Sequence, residues 1–269
     1  MTLSITGKNA IVTGAAHGIG LAIARHFVER GAQVMFADID EARLVDELGE
    51  EAKSDGPVRY FAGDLCQKLT VKNLLSATVD AFERIDILVN AARCVQVSDP
   101  LDPSQTVLDD MLQINMKGAL RLSQMTANRM IKQAEAEGRE EGEIGCIVNV
   151  GSSPAAATQP GLLAYSIASA AHEQMTRGLA VALAPQRIRV NGVAFASVMS
   201  ASLQSLLREN GDWRDDIIAA TPMGRIAPAI ELAETVQYLA SSGAGFVTGQ
   251  IIAVDGGRSL RGPVNLPLL

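Results

Sequence analysis

Asn9-Ala10-Ile11-Val12-Thr13-Gly14-Ala15-Ala16-His17-Gly18-Ile19-Gly20 starts as a strand and then breaks into a turn with glycines at positions 14, 18 and 20. A helical pattern follows over about 20–32, and a second strand-like run, Gln33-Val34-Met35-Phe36-Ala37, ends in Asp38. Strand, glycine turn, helix, strand and acid in this order describe a pocket for the adenosine half of a dinucleotide. Gly14 permits the tight turn, Gly18 lets backbone approach a pyrophosphate, and Gly20 lets the helix pack close to the strand. Phosphate oxygens would meet free N–H groups and the positive end of the helix dipole, beside His17 and Ile19. Asp38 would accept hydrogen bonds from ribose hydroxyls and repel a 2′-phosphate, which selects NAD(H) over NADP(H).

A chain of 269 residues with 48% hydrophobic residues can bury a sizeable core as one domain, 1–269. No apolar run reaches the ~20 residues that span a bilayer, and the N-terminus lacks the basic and apolar stretches of a secretory signal. Cys66, Cys94 and Cys146 are odd in number and far apart, which reads as reduced thiols in a cytoplasmic protein, with no disulfide framework or metal site. A net charge of −7 argues against nucleic acid as a partner.

The alternation continues along the chain. Further strands are expected at 58–62, 85–90, 144–150, 188–193 and 250–254, each short, apolar and rich in β-branched residues. Helical patterns lie at about 41–54, 69–82, 105–135, 162–184 and 229–241. The fold class is therefore α/β: a single doubly wound Rossmann domain with a mainly parallel seven-stranded sheet and helices on both faces. In such a sheet, ligands bind beyond the carboxyl ends of the strands. Candidate residues do cluster there: Asp64-Leu65, Asn90-Ala91-Ala92, and Gly151-Ser152-Ser153, with Tyr165 thirteen residues past Ser152.

These landmarks resemble the compact, single-domain short-chain dehydrogenases/reductases, from about Leu3 to Gly257. The resemblance includes Thr13-Gly14-x-x-x-Gly18-Ile19-Gly20, Asp64-Leu65, Asn115, the Ser152/Tyr165 pair, Arg189-Val190-Asn191, Pro222-Met223-Gly224-Arg225 and Thr248-Gly249-Gln250. It implies that Tyr165 is the general acid–base and that Ser152 holds the substrate oxygen. Asn115 would anchor a water of a proton relay, and Val198, near Ser200, would contact the nicotinamide amide. Asp64, Leu65 and Asn90 would join the glycine turn in cofactor binding. The implied activity is interconversion of a secondary alcohol and a ketone with NAD as cofactor. A non-catalytic NAD-binding homologue and a 3-oxoacyl-thioester reductase stand as alternatives.

Three departures from the family pattern cluster at the nicotinamide end. Ser169 stands four residues after Tyr165, where the family has a lysine that binds the ribose and lowers the tyrosine pKa. Bringing a free tyrosine from ~10 to about 7 takes roughly 4 kcal/mol of differential stabilisation, and a serine carries no charge. Arg93 replaces a glycine after Asn90-Ala91-Ala92; it is a candidate to supply the missing charge, could contact phosphate or ribose or intrude on the pocket, or could point into solvent. Phe195-Ala196 replaces the family's Pro-Gly, which suggests a reshaped site floor with an apolar wall. His172, seven residues after Tyr165, could bring an imidazolium, though helix packing or a subunit contact is the preferred reading. Lys117 reads as an ordinary surface lysine.

The Glu-rich segment of about 133–143 reads as a solvated, mobile loop. The segment of about 196–221, with Leu203, Leu206, Leu207, Trp213 and Ile217, reads as a substrate lid whose character suggests a lipophilic alcohol or ketone. The tail, 258–269, suits a subunit contact. Two long helices with apolar faces make a homotetramer the expected assembly. No membrane partner is expected.

Overall fold

The computed structural model describes residues 2–53, 55–102, 104, 106–155, 161–196 and 198–260. Its centre is a seven-stranded, wholly parallel sheet. In chain order the strands are β1 (Asn9–Thr13), β2 (Gln33–Asp38), β3 (Val58–Ala62), β4 (Ile87–Asn90), β5 (Gly145–Ser152) and β6 (Ile188–Phe195). A short pair, β7 (Val198–Met199) and β8 (Ala227–Pro228), precedes β9 (Ile251–Val254). The spatial order is β3-β2-β1-β4-β5-β6-β9, so the winding reverses between β1 and β4, and a crevice opens beyond the carboxyl ends of that pair.

Alternation along buried strands assigns residues to two cores. Ala10, Val12, Val34, Phe36, Val89 and Val148 face one side. There they meet α1 (Gly18–Glu29) through Ile23 and Phe27, α2 (Glu41–Leu48) through Leu44, and α9 (Ala229–Ala240) through Leu232 and Val236. Ile11, Met35, Leu88 and Ile147 face the other side. They meet α3 (Lys68–Phe82) through Leu74, α5 (Ala119–Ala136) through Leu122 and Met130, and α6 (Leu163–Leu183) through Leu179. The inner strands β1, β2, β4 and β5 are thus covered on both faces, which is why their sequences are apolar without polar alternation.

The structure revises three expectations. The helix anticipated over 105–135 is α4 (Val107–Leu112), a π-helical turn (Gln113–Gly118) and α5 in succession. The acidic segment is not a free loop from Gln133 onward. Gln133 lies within α5 and is buried, accepting the Ile85 N–H at 3.1 Å and donating to the Ile85 carbonyl at 3.0 Å. Glu137 then pairs with Arg84 at 2.9 Å, and Glu143 pairs with Arg189. Hydrogen bonds and ion pairs therefore hold the segment at both ends. The expected lid contains two helices, α7 (Ala201–Glu209) and α8 (Trp213–Ala219), enclosed between β7 and β8, which pair through Val198 and Ala227. Ser197 and residues 261–269 of the tail lie outside the described residues.

Among the described residues no helix is long and apolar enough to cross a membrane.

Candidate active site

The glycine turn leaves β1 at Thr13, whose hydroxyl accepts the N–H groups of Ala91 and Ala92, each at 3.0 Å. The β1 and β4 ends are locked side by side by these bonds. Gly14 adopts φ +67°, and a Cβ there would lie 2.8 Å from the Ala92 backbone. A Cβ on Gly20 would run into the Gly14 carbonyl, 2.6 Å from its carbon. Gly18, at φ +60°, begins α1 and faces open space, with only the Ser200 Cβ within 4 Å of a built Cβ at 3.9 Å. The turn therefore exposes the backbone at the start of α1, a cradle suited to a pyrophosphate.

That cradle forms part of one cavity of about 790 Å³. Its lining includes the turn residues Gly14, His17, Gly18, Ile19 and Gly20. Asp38, Asp64 and Leu65 join at one end, with Asn90 between, and Ser152, Tyr165 and Val198 at the other. Asp38 is buried, and its carboxylate accepts Ala16 N–H at 3.0 Å and Asp40 N–H at 3.1 Å. A carboxylate has about four acceptor positions, so two remain for a ligand. Asp64 is turned partly back onto its own loop, accepting Cys66 N–H at 2.8 Å.

Asn90 ends β4 and begins a buried polar chain through the sheet. Its amide donates to Ser123 Oγ at 2.9 Å and to Asn149 Oδ1 at 2.8 Å. Asn149 donates in turn to Thr176 Oγ1 at 2.8 Å, which donates to the His172 carbonyl at 3.0 Å. Every link uses a donor and an acceptor inside the low-dielectric core, where unpaired groups are costly.

Tyr165 and Ser152 reach the cavity by different routes. Ser152 is the last residue of β5, opposite Phe195 in register, and is buried. Tyr165 sits in the first turn of α6 and is 4% exposed, packed with Met111 and Ala168. The Arg93 guanidinium enters the cavity and donates to Tyr165 Oη at 3.2 Å, while its Cζ lies 4.5 Å from the Phe195 ring centre. Arg93 is exposed as a residue, yet its guanidinium turns over Phe195 to Tyr165 at the cavity wall, so it both meets solvent and contacts the site.

Two expected site residues, Asn115 and Ser169, do not line the cavity, and neither does His172, for which packing is the preferred reading. Asn115 sits in the π-helical turn, and its side chain clamps the Cys94 backbone, accepting N–H at 2.7 Å and donating to the carbonyl at 2.8 Å. It braces the segment after β4. Ser169 is buried on α6. His172 is buried too; a Cβ on Gly151 would lie 3.7 Å from its Nδ1, and burial pushes its pKa down to about 4, so it packs as a neutral ring. Sequence reasoning assigned no role to Thr13 or to the cavity-lining Cys94. Thr13 had a readable signal, a hydroxyl at the last position of a strand entering a glycine turn.

A family model described as enoyl-(acyl carrier protein) reductase matches residues 14–259. The chain is 32% identical to the 3-oxoacyl-(acyl-carrier-protein) reductase of Thermotoga maritima over 256 residues, covering 95% of this chain and 99% of that one. It is also 32% identical to the 2,3-dihydroxy-2,3-dihydro-p-cumate dehydrogenase of Pseudomonas putida over 261 residues, covering 96% of each. A solved 7α-hydroxysteroid dehydrogenase, complexed with NADH and 7-oxo glycochenodeoxycholic acid, superposes with a TM-score of 0.85 at 28% identity, covering 95% of this chain and 96% of that one. A gluconate 5-dehydrogenase from Burkholderia cenocepacia, in complex with NADP and tartrate, superposes with a TM-score of 0.84 at 26% identity, covering 97% and 98%. The match over most of the length, together with the parallel sheet and its crevice, shows that the chain belongs to the short-chain dehydrogenase/reductase family of oxidoreductases, which bind nicotinamide cofactors.

Proposed function

We propose that this protein is an NAD(H)-dependent oxidoreductase that interconverts a secondary alcohol and a ketone on a small, lipophilic molecule. The observation that carries the reading is that the Ser152 and Tyr165 hydroxyls share one cavity with the glycine turn and Asp38. The Gly14–Gly20 turn would hold the pyrophosphate, and Asp38 the adenosine ribose hydroxyls, where its charge disfavours a 2′-phosphate. When bound, the nicotinamide supplies or accepts the hydride. Tyr165 gives its phenolic proton to the substrate oxygen during reduction and takes it back during oxidation. Ser152 donates a hydrogen bond to the same oxygen and opposes its loss of alignment.

Leu162, Phe195, Leu203 and Leu206 line the cavity and support a lipophilic substrate. The three free thiols support residence in the cytoplasm. Exposed Leu163, Ile167 and Val181 along α6 support a homotetramer. We read residues 1–269 as one domain, with 196–221 as the substrate lid. The similarity to a 3-oxoacyl-(acyl-carrier-protein) reductase keeps a thioester ketone within the same reading. A non-catalytic NAD-binding role is favoured by the departures at the nicotinamide end, the uncharged Ser169 one helical turn past Tyr165 together with Arg93 and Phe195-Ala196.

The test is NADH oxidation, followed by absorbance, over a panel of lipophilic ketones that includes a 3-oxoacyl thioester. Wild type should turn over at least one of them, and Tyr165→Phe should lose about 100-fold or more, the scale of a general acid. A wild type that binds NADH and reduces nothing in the panel would establish the non-catalytic role instead.

A further inference from the structure

We infer that Arg93 is the positioning residue that presents a positive charge to the Tyr165 phenol, with Phe195 as its support, in place of the lysine that Ser169 displaces. The inference rests on the reading of Tyr165 as the acid–base. It makes one unit of three sequence departures that look independent along the chain: Arg93, Phe195 and Ser169.

The geometry is that of a braced guanidinium. Phe195 is 4% exposed and locked in register opposite Ser152 at the end of β6, so its ring is a fixed platform. The Arg93 Cζ lies 4.5 Å from the centre of that ring, within cation–π range. One N–H then reaches Tyr165 Oη at 3.2 Å. The backbone end is held as well, because Asn115 grips the neighbouring Cys94 through both its N–H and its carbonyl. Arginine suits this position where lysine would not, since a planar guanidinium can stack on a ring and donate in its own plane at once.

The charges facing the phenol from each packed element leave this role to Arg93. From α6 itself, Ser169 is uncharged, and His172 is neutral because burial lowers its pKa to about 4. From α4, Asp109 and Asp110 are exposed on the surface, and Lys117 of the π-helical turn is exposed too. From β5 and β6 come Ser152 and Phe195, which carry no charge. The segment after β4 brings Arg93 and the Cys94 thiol.

Guanidinium stays protonated at any working pH, so Arg93 neither gives nor takes the proton of the reaction. It donates to a lone pair of Oη, which leaves the phenolic proton free to move to the substrate oxygen. When that proton has left, the guanidinium faces the phenolate oxygen and stabilises it.

The test compares wild type, Arg93→Gln, Arg93→Lys and Arg93→Gln/Ser169→Lys. Two readouts are used: the pH profile of turnover, and phenolate formation by ultraviolet difference absorbance, with Tyr165→Phe as the blank. Arg93→Gln should move both curves to higher pH, because it removes the positive charge that faces the phenol oxygen. Arg93→Lys should fall between, and adding Ser169→Lys to Arg93→Gln should bring the curves back. Coincident curves for wild type and Arg93→Gln would overturn the inference, and so would faster turnover on removing Arg93, which would mark it as an obstruction. The absorbance titration needs no substrate, so it reads the Arg93 role even if the oxidoreductase reading fails.

Discussion

The carboxylate of Asp38 accepts the backbone N–H of Ala16 at 3.0 Å, which ties the acid ending β2 directly to the glycine turn that follows β1. Acid and phosphate cradle are therefore one rigid unit. Removing the charge while keeping the shape, by Asp38→Asn, should narrow the preference for NADH over NADPH by about tenfold or more, roughly 1.4 kcal/mol. Fluorescence titration with both cofactors measures it. An unchanged ratio, or a wild type that prefers NADPH, would remove Asp38 from cofactor selection.

Gly20 carries a packing requirement that can be tested apart from any ligand. A Cβ there would collide with the Gly14 carbonyl group, 2.6 Å from its carbon, and the fixed strand end leaves it nowhere to go. Gly20→Ala should cost about 1–3 kcal/mol, the usual range for overpacking. Gly211→Ala, where a Cβ meets nothing within 4 Å, is the matched control and should stay within about 0.5 kcal/mol. Urea unfolding of both variants decides the point.

His172 should make the protein acid-sensitive. Its pKa is lowered to about 4 in the folded chain by burial, from an ordinary value near 6.5. Between those values the unfolded chain binds the extra proton, so stability rises with pH. The contribution is complete above about pH 6.5 and is lost as pH falls towards 4, amounting to roughly 3 kcal/mol. Wild type should lose about that much more stability than His172→Gln between pH 7 and 4, as read from urea midpoints at each pH. Parallel losses in the two proteins would contradict a buried neutral imidazole.

The polar chain from Asn90 to Thr176 makes a distant residue matter to the cavity floor. Thr176→Val keeps shape but strips the acceptor from the Asn149 amide, which donates to Thr176 Oγ1 at 2.8 Å. A buried donor left unpaired costs about 1–3 kcal/mol. Thermal unfolding should show that loss, with weaker NADH binding as Asn90 loosens. A variant as stable as wild type would mean that the chain has slack.

The sequence made legible whatever depends on local pattern. Asp38, the glycine turn and the apolar strands follow from spacing and from burial on both faces, and the strands fall within about two residues of expectation. Ser152 is nevertheless the last residue of β5, two residues beyond the expected end of that strand. The π-helical turn at Gln113–Gly118 was hidden, because one extra residue in a helix leaves the apolar pattern almost intact. Its position coincides with the Asn115 grip on Cys94, a contact across 21 residues. Gln133 looked like part of a charged loop, since nothing nearby announces that Ile85 will bond it on both sides. The contact of Arg93 with Tyr165 spans 72 residues and has no spacing rule, so it waited for the fold to bring β4 and α6 together.

The most direct measurement follows the hydride itself. The protein is incubated with NADH deuterated at nicotinamide C4 and a mixture of lipophilic ketones, and the products are read by mass spectrometry. An alcohol one mass unit heavier should form with wild type and fall by about 100-fold or more with Tyr165→Phe. Deuterium in no product, while NADH still binds, would contradict the assignment of this protein as a working oxidoreductase.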